Sequence, residues 1–288
     1  MKHSRKHFLR KLAAGSLAAT GLTALGPAVQ AARPATSRQP ETDPPPLQLG
    51  LASYSLRKFS LDEVIQMCHR TGLRHLALKS MHLPLDANPA YIRATAAKVR
   101  VAGIDLYGAG VIYMREPMQV HQAFAYAQAA GLRVIIGVPN PELLPLVEKL
   151  AKELDIQVAI HNHGPGDKLY PSPESIYSHI KNLDERIGIC IDIGHTRRIE
   201  LDPAQEVLKY ADRILDVHLK DVNQTGAEGH NIEMGRGIID VPAFLAALRS
   251  ISYQGVVSFE YEKDPDDPLP GLAESVGYVR GVLDVACE

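Results

Sequence analysis

From residue 47 to residue 261 the chain repeats one unit eight times, a short β-type apolar run followed by a segment with helical spacing. The runs are Leu47–Ser53, Leu73–Lys79, Ile104–Gly108, Leu132–Val138, Ile156–His161, Ile187–Ile193, Ile214–Leu219 and Gly255–Tyr261. Between them, segments such as Leu61–Thr71, Ala90–Val101, Met118–Ala130 and Glu142–Leu154 place apolar residues on one helical face. Gly72, Gly103 and Gly131 stand where such helices should stop. Starts of successive runs lie 24 to 31 residues apart, one βα unit, and further apart only before the last. Eight units in series predict an α/β fold closed as a single-domain (β/α)8 TIM barrel. A doubly wound open sheet is the competitor, but it normally carries a glycine-rich nucleotide loop after its first strand. Here Tyr54-Ser55-Leu56-Arg57 follows instead.

A barrel strand alternates its side chains between interior and helices, so parity sorts each run. Ile156, Val158 and Ile160 take the outward parity and leave His161 and His163 inward; Ile189, Ile191 and Ile193 leave Cys190 and Asp192. Leu215, Val217 and Leu219 face out, with Asp216, His218 and Lys220 inward. Val257, Phe259 and Tyr261 face out, with Ser258, Glu260 and Glu262 inward. Lys79 takes the parity opposite Leu76 and Leu78. Barrel interiors are normally filled by branched apolar side chains, and buried charge is costly unless paired or ligating. His, Asp, His and Glu converging from four strands, all at the carboxyl end, form a nitrogen-and-oxygen ligand set. It suits one divalent ion: Mn, Co, Zn, Mg or Fe. Taken singly, each has a plainer reading: a hydrogen-bonded core histidine, or, for Asp192, a helix cap.

The stretches Asp192-Ile193-Gly194-His195, Val217-His218-Leu219-Lys220-Asp221 and Phe259-Glu260-Tyr261 resemble motifs of the xylose isomerase-like barrel superfamily. That group contains sugar-phosphate isomerases and epimerases and AP-endonuclease-like barrels. The resemblance covers about residues 47–285 and is strongest from residue 156 onward. It implies metal ligation by Asp192, His218 and Glu260, with His195 contacting substrate or supporting the site and Lys220 near the substrate oxygens. The strand-five glutamate of ketose epimerases is replaced here by His161, within His161-Asn162-His163-Gly164. A metal-bound histidine has its ligating nitrogen occupied and is a poor base, which counts against a symmetrical two-carboxylate epimerisation.

The expected activity is metal-assisted proton abstraction next to a carbonyl of a carbohydrate or cyclitol, as in a sugar isomerase or epimerase. The catalytic candidates are Glu260, His195, His163 and Lys220; the substrate-binding candidates are Lys79, Asn162 and Arg236, the last in Gly235-Arg236-Gly237, read as a flexible loop. The alternatives are a lyase eliminating from 3-keto-glycosides and a non-catalytic sugar-binding barrel.

The N-terminus reads as an export signal. Residues 1–31 carry Lys2, Arg5, Lys6, Arg10 and Lys11 and no acid, so the formal charge of −2 falls to −7 without them. A protein that acidic lacks the cationic footprint of a nucleic-acid binder. The stretch Ser4-Arg5-Lys6-His7-Phe8-Leu9-Arg10-Lys11 resembles a twin-arginine signal, with Lys6 in place of the second arginine, and implies a periplasmic destination. The mildly apolar run Leu12–Val29 is interrupted by Gly15, Gly21, Gly26 and Pro27, too weak for a stable membrane span. Cleavage is expected after Ala31; a general secretory signal or an uncleaved anchor are alternatives. Residues 32–46, ending in Pro44-Pro45-Pro46, form a Pro/Ser-rich linker, and residues 47–288 the barrel. Cys68, Cys190 and Cys287, odd in number and widely spaced, read as small apolar side chains. The sequence leaves a homo-oligomer open.

Overall fold

A computed structural model describes residues 46–285. The export signal, most of the linker and Cys287 lie outside the described residues. The barrel strands are β1 (Gln48–Ala52), β2 (His75–Leu78), β3 (Asp105–Met114), β4 (Val134–Pro139), β5 (Gln157–His161), β6 (Ile187–Asp192), β7 (Ile214–Leu219) and β10 (Val256–Phe259). They are joined in parallel as a closed ring in the order β1-β10-β7-β6-β5-β4-β3-β2. Pairing of Gln48 with Val256 through Leu51 with Phe259 shuts it. The open-sheet alternative is thereby excluded. The long interval before the last strand is taken up partly by an antiparallel ribbon of β8 (Asp221–Val222) and β9 (Asn231–Ile232).

The outer layer consists of α1 (Leu61–Thr71), α2 (Pro89–Val101), α3 (Pro117–Ala130), α4 (Leu144–Leu154), α5 (Pro173–Ile180), α6 (Ile193–Arg198), α7 (Pro203–Lys209), α8 (Val241–Ser250) and α9 (Leu269–Val285). Local chemistry sets their ends. Ser60 and Glu63 form a reciprocal capping box on α1. Gly72 and Gly131 close α1 and α3 at φ 71° and 63°, a left-handed conformation that costs glycine nothing. No helix among the described residues is long and apolar enough to cross a membrane.

Parity divides the apolar residues into two shells. Outward-facing residues such as Val158, Ile160, Ile189, Ile191, Val217 and Phe259 pack against the helices in one large core. Inside the ring, Ala77, Tyr107, Val134, Ile136, Ala159, Cys190 and Val256 form a smaller cluster. Leu215 departs from its expected outward parity and packs against that inner cluster. The reason is a register shift between β6 and β7, where Ile189 pairs with Ile214 but Cys190 pairs with Asp216. Leu215 is thus an extra residue, and it rests on Gly188, where a Cβ would lie 2.4 Å from Leu215 Cγ.

Candidate metal centre at the barrel mouth

His161 and Asp192 end β5 and β6, His218 is the penultimate residue of β7, and Glu260 directly follows β10. Four adjacent elements therefore deliver four side chains to one level of the barrel. One ligand atom from each lies within 4.8 Å of the others, and all four residues are buried. His161 Nε2 is 3.1 Å from His218 Nδ1 and 3.6 Å from Asp192 Oδ2, and His218 Nδ1 is 3.3 Å from Glu260 Oε2. Asp192 Oδ2 is fully buried and accepts no hydrogen bond. The Lys220 ammonium 3.1 Å away supplies a counter-charge but no aligned hydrogen bond, which leaves this oxygen a lone pair to offer a metal ion. Two imidazole nitrogens and two carboxylate oxygens at this spacing fit a divalent ion.

Asp192 serves two purposes. Its Oδ1 accepts from His195 N at 2.7 Å and caps α6, while Oδ2 faces the cluster. The cap reading of the sequence holds on Oδ1, and Oδ2 stands among the other candidate ligands. Asn162, expected to touch substrate, is instead fully buried. Its Oδ1 accepts from Asp192 N and its Nδ2 donates to Thr196 Oγ1, so it fixes the turn that carries Asp192.

Lys220 is buried, with Nζ 3.1 Å from Asp192 Oδ2 and 2.8 Å from Glu260 Oε2; it also touches Glu262. Burial alone would lower its pKa, but the three acids more than offset this and hold the ammonium well above the usual lysine range. Burial likewise raises Asp192 and Glu260, and the polar groups around them overturn it. The facing His195 ring and the Lys220 ammonium bring Asp192 down, and Lys220 and His218 hold Glu260 well below the ordinary carboxylate value. Burial pushes His161 down to about 3 and His195 down to about 4, and lowers His163 as well. These three imidazoles are neutral at pH 7.

Above the cluster opens a cavity of about 260 Å³ lined by Tyr54, Lys79, Val111, Tyr113, His163 and His195 together with His161, Lys220, Glu260 and Glu262. Six of the sequence candidates thus meet at one mouth (Lys79, His161, His163, His195, Lys220 and Glu260), and Asp192 and His218 lie in its floor cluster. His163 Nε2 is 3.2 Å from Tyr113 Oη and its Nδ1 is 3.7 Å from Asp167 Oδ2. Tyr113 escaped the sequence reading because β3 runs six residues past its expected end at Gly108. Lys79 donates to Val111 O at 2.8 Å, and its backbone is held by Ser53 Oγ, itself bonded to His82 Nδ1.

Arg236 does not join them. Its guanidinium pairs with Glu274 of α9 and is 62% exposed. Its loop is not flexible as expected but anchored: Asp221 Oδ2 accepts from Gly235 N at 2.9 Å and Gly237 N at 3.0 Å.

A closed parallel barrel with a buried His₂-Asp-Glu cluster at its carboxyl mouth defines a TIM barrel with a candidate metal centre. The sequence pattern of the xylose isomerase-like TIM barrel family matches residues 40–282, and the chain belongs to that family. It is 28% identical over 152 residues to the rhizopine catabolism protein MocC of Rhizobium meliloti, covering 48% of this chain and 46% of that one. It is 27% identical over 136 residues to an inosose dehydratase of Lacticaseibacillus casei, covering 42% and 45%. The chain thus matches about half the length of these curated relatives. Among solved structures, L-ribulose 3-epimerase shares the fold with a TM-score of 0.70 at 16% identity, over 83% of this chain and 95% of that one. The IOLI protein with a bound zinc atom gives 0.69 at 14% identity, over 83% and 98%.

Proposed function

We propose that this protein is a divalent-metal-dependent enzyme that removes a proton next to the carbonyl of a carbohydrate or cyclitol. The observation that carries this reading is the buried cluster of His161, Asp192, His218 and Glu260 on the floor of a cavity open at the carboxyl end of the barrel. Sugar-processing relatives, an inosose dehydratase and an L-ribulose 3-epimerase, support the substrate class. A divalent ion held by those four side chains would supply Lewis-acid polarisation of the carbonyl oxygen.

The chain's own residues divide the remaining work. His163 is the base: Asp167 beside Nδ1 favours the tautomer with the proton there, which leaves Nε2 as the acceptor facing Tyr113 and the cavity. Glu260, read from sequence as a candidate proton carrier, is a weak base because Lys220 stabilises its ionised form. Lys220 and Lys79 offer ammonium groups to substrate oxygens. His195 receives Arg198 Nη1 on its Nδ1 at 3.4 Å and turns Nε2 toward Asp192, which makes it a donor rather than a base.

With one base in place, the carbanion has two fates. Returning the proton gives isomerisation or epimerisation; departure of a group from the neighbouring carbon gives an enone. Replacement of the family's strand-five glutamate by His161 favours the second fate, because that place offers an imidazole instead of a second carboxylate base. NMR of the metal-loaded protein in D₂O with ketoses, inososes and 3-keto-glycosides tests this. Deuterium beside the carbonyl without loss of a group means isomerase or epimerase, and release of the group with an enone means lyase. Exchange in none of them, with metal bound, overturns the enzymatic reading in favour of sugar binding alone. We also propose export to the periplasm through the leader at Ser4–Lys11. N-terminal sequencing of the mature protein should begin at Ala32.

A further inference from the structure

Two residues before each ligand on its strand, and so on the same inward parity, lies a second layer inside the barrel: Ala159 under His161, Cys190 under Asp192, Asp216 under His218 and Ser258 under Glu260. Three of these are small or neutral. Asp216 is a carboxylate with no solvent exposure, in a layer whose other members include Tyr107, Ile136 and Val256. The chemistry assigned to the mouth gives it no task.

Its hydrogen bonds are incomplete for a buried charge. Oδ1 accepts from Tyr107 Oη at 2.9 Å, and that hydroxyl is also 2.8 Å from Ser258 Oγ. Oδ2 receives the Cys190 thiol at 3.3 Å, a weak donor, and the Val217 backbone N–H also favours the ionised carboxyl. Directly above, 3.6 Å from Oδ2, is His218 Nε2, itself buried and without a hydrogen-bond partner. Each atom lacks what the other offers. The opposite ring nitrogen, His218 Nδ1, faces His161 Nε2 and Glu260 Oε2, so it is the one turned toward the ion.

We propose that Asp216 is a positioning residue that holds His218 in its Nε2-protonated tautomer and orients Nδ1 for metal ligation. A ligating imidazole must keep its lone pair on the metal-facing nitrogen, and a carboxylate behind the other nitrogen enforces this and raises the ligand's basicity. Tyr107 and Cys190 hold the carboxylate from below. His161 has no such support, because its remaining nitrogen, Nδ1, is buried without a partner. The two candidate histidine ligands are therefore unequal, His218 backed by a carboxylate and His161 held by ring packing. This inference rests on the metal reading above.

The test measures Zn²⁺ affinity of the full chain by chelator competition, in wild type and Asp216→Asn. Asparagine keeps the acceptor for Tyr107 but turns an amide toward Nε2 and favours the wrong tautomer. A loss of 10- to 100-fold in Zn²⁺ affinity is expected, with the metal-free melting temperature no lower than that of wild type. Affinity within twofold of wild type overturns the proposal. Wild type that binds no Zn²⁺ overturns the metal reading itself and, with it, the proposal. Should Asp216→Asn fail to fold, ¹⁵N NMR of Zn²⁺-loaded wild type decides. A His218 ring protonated at Nε2 and metal-bound at Nδ1 upholds the inference, and a proton at Nδ1 overturns it.

Discussion

Lys220 Nζ stands 2.8 Å from Glu260 Oε2, an ammonium against a carboxylate that is also a candidate metal ligand. A divalent ion held there would share that anion with the lysine, and the two cations would repel each other. At an effective dielectric near 20, two unit charges 4 Å apart interact by about 4 kcal/mol. Lys220→Met removes that repulsion while keeping the apolar stem. Divalent-metal affinity should rise about tenfold, well within that limit, whereas proton exchange on substrate should fall by roughly 100-fold or more as the oxyanion loses its ammonium. Calorimetric Zn²⁺ titration and D₂O exchange measure the two effects. Weaker metal binding in the variant would show that Lys220 organises the ligands instead of competing with the ion.

The two oxygens of Asp192 can be separated by substitution. Asp192→Asn, with its oxygen toward His195 N, keeps the α6 cap and replaces the candidate ligand oxygen by an amide. Asp192→Ala removes both. Each should lose stoichiometric metal, and only the alanine variant should also lose the cap, worth about 1 kcal/mol in the metal-free protein. Metal content by emission spectroscopy and metal-free melting curves report these separately. Full metal content in both variants would remove Asp192 from the ligand set.

Metal removal should act on stability as ligand removal does. At a free metal concentration 100 times the dissociation constant, binding stabilises by about 2.7 kcal/mol. For a domain of this size that corresponds to roughly 5–10 °C in melting temperature. Dialysis against a chelator should lower the transition by that amount, and Zn²⁺ or Mn²⁺ should restore it. An unchanged transition would mean that the cluster binds no ion tightly.

The barrel was legible because its two periodicities are independent. Helical spacing in Leu61–Thr71 and alternation in Ile187–Asp192 cannot be exchanged, and glycines at 72 and 131 mark the boundaries. The inward parity of His161, Asp192, His218 and Glu260 followed from the same alternation. It failed at Leu215, where a register shift inserts a residue that no local pattern announces. Loop residues were the least legible. Arg236 looked available because a pairing with Glu274, 38 positions away, is invisible in sequence, and Asn162 looked like a ligand-facing amide because nothing in His161-Asn162-His163 reveals its bond to Asp192 N. Asp167 and Tyr113 meet at His163 from separate loop and strand segments, which no spacing rule connects.

Asp221 anchors the loop that sequence alone presents as free. Besides Gly235 N and Gly237 N, its carboxylate accepts from Val222 N at 2.9 Å and Ile239 N at 3.3 Å. A Cβ at Gly237 would stand 2.0 Å from Asp221 Oδ1. Gly237→Ala must therefore push the carboxylate out of its cradle, at a cost of about 2 kcal/mol or more. Asp221→Ala leaves buried backbone donors unpaired and should cost at least about 3 kcal/mol. Urea unfolding gives both values. Losses below about 0.5 kcal/mol would show that the loop can shed this anchor freely.

Glu233 should make stability depend on pH in the acid range. Its Oε1 accepts from Tyr261 Oη at 2.9 Å and Lys263 Nζ at 2.8 Å, tying the segment after β9 to the segment after β10. Burial raises its pKa, but the Lys263 and Tyr261 hydrogen bonds outweigh that and bring the carboxyl down to about 2, against an ordinary 4.5. The folded state thus binds this proton less readily than the unfolded chain. Its contribution is fully present above pH 4.5 and is lost as pH falls toward 2. Lys263 is partly exposed, so solvent screening reduces the effect to about 1 kcal/mol. Glu233→Gln should therefore be less stable than wild type by about that amount at pH 7, with the difference closing between pH 4.5 and pH 2. Urea midpoints at pH 7, 4 and 2.5 measure it, and a difference constant across all three would assign the loss to packing instead of charge.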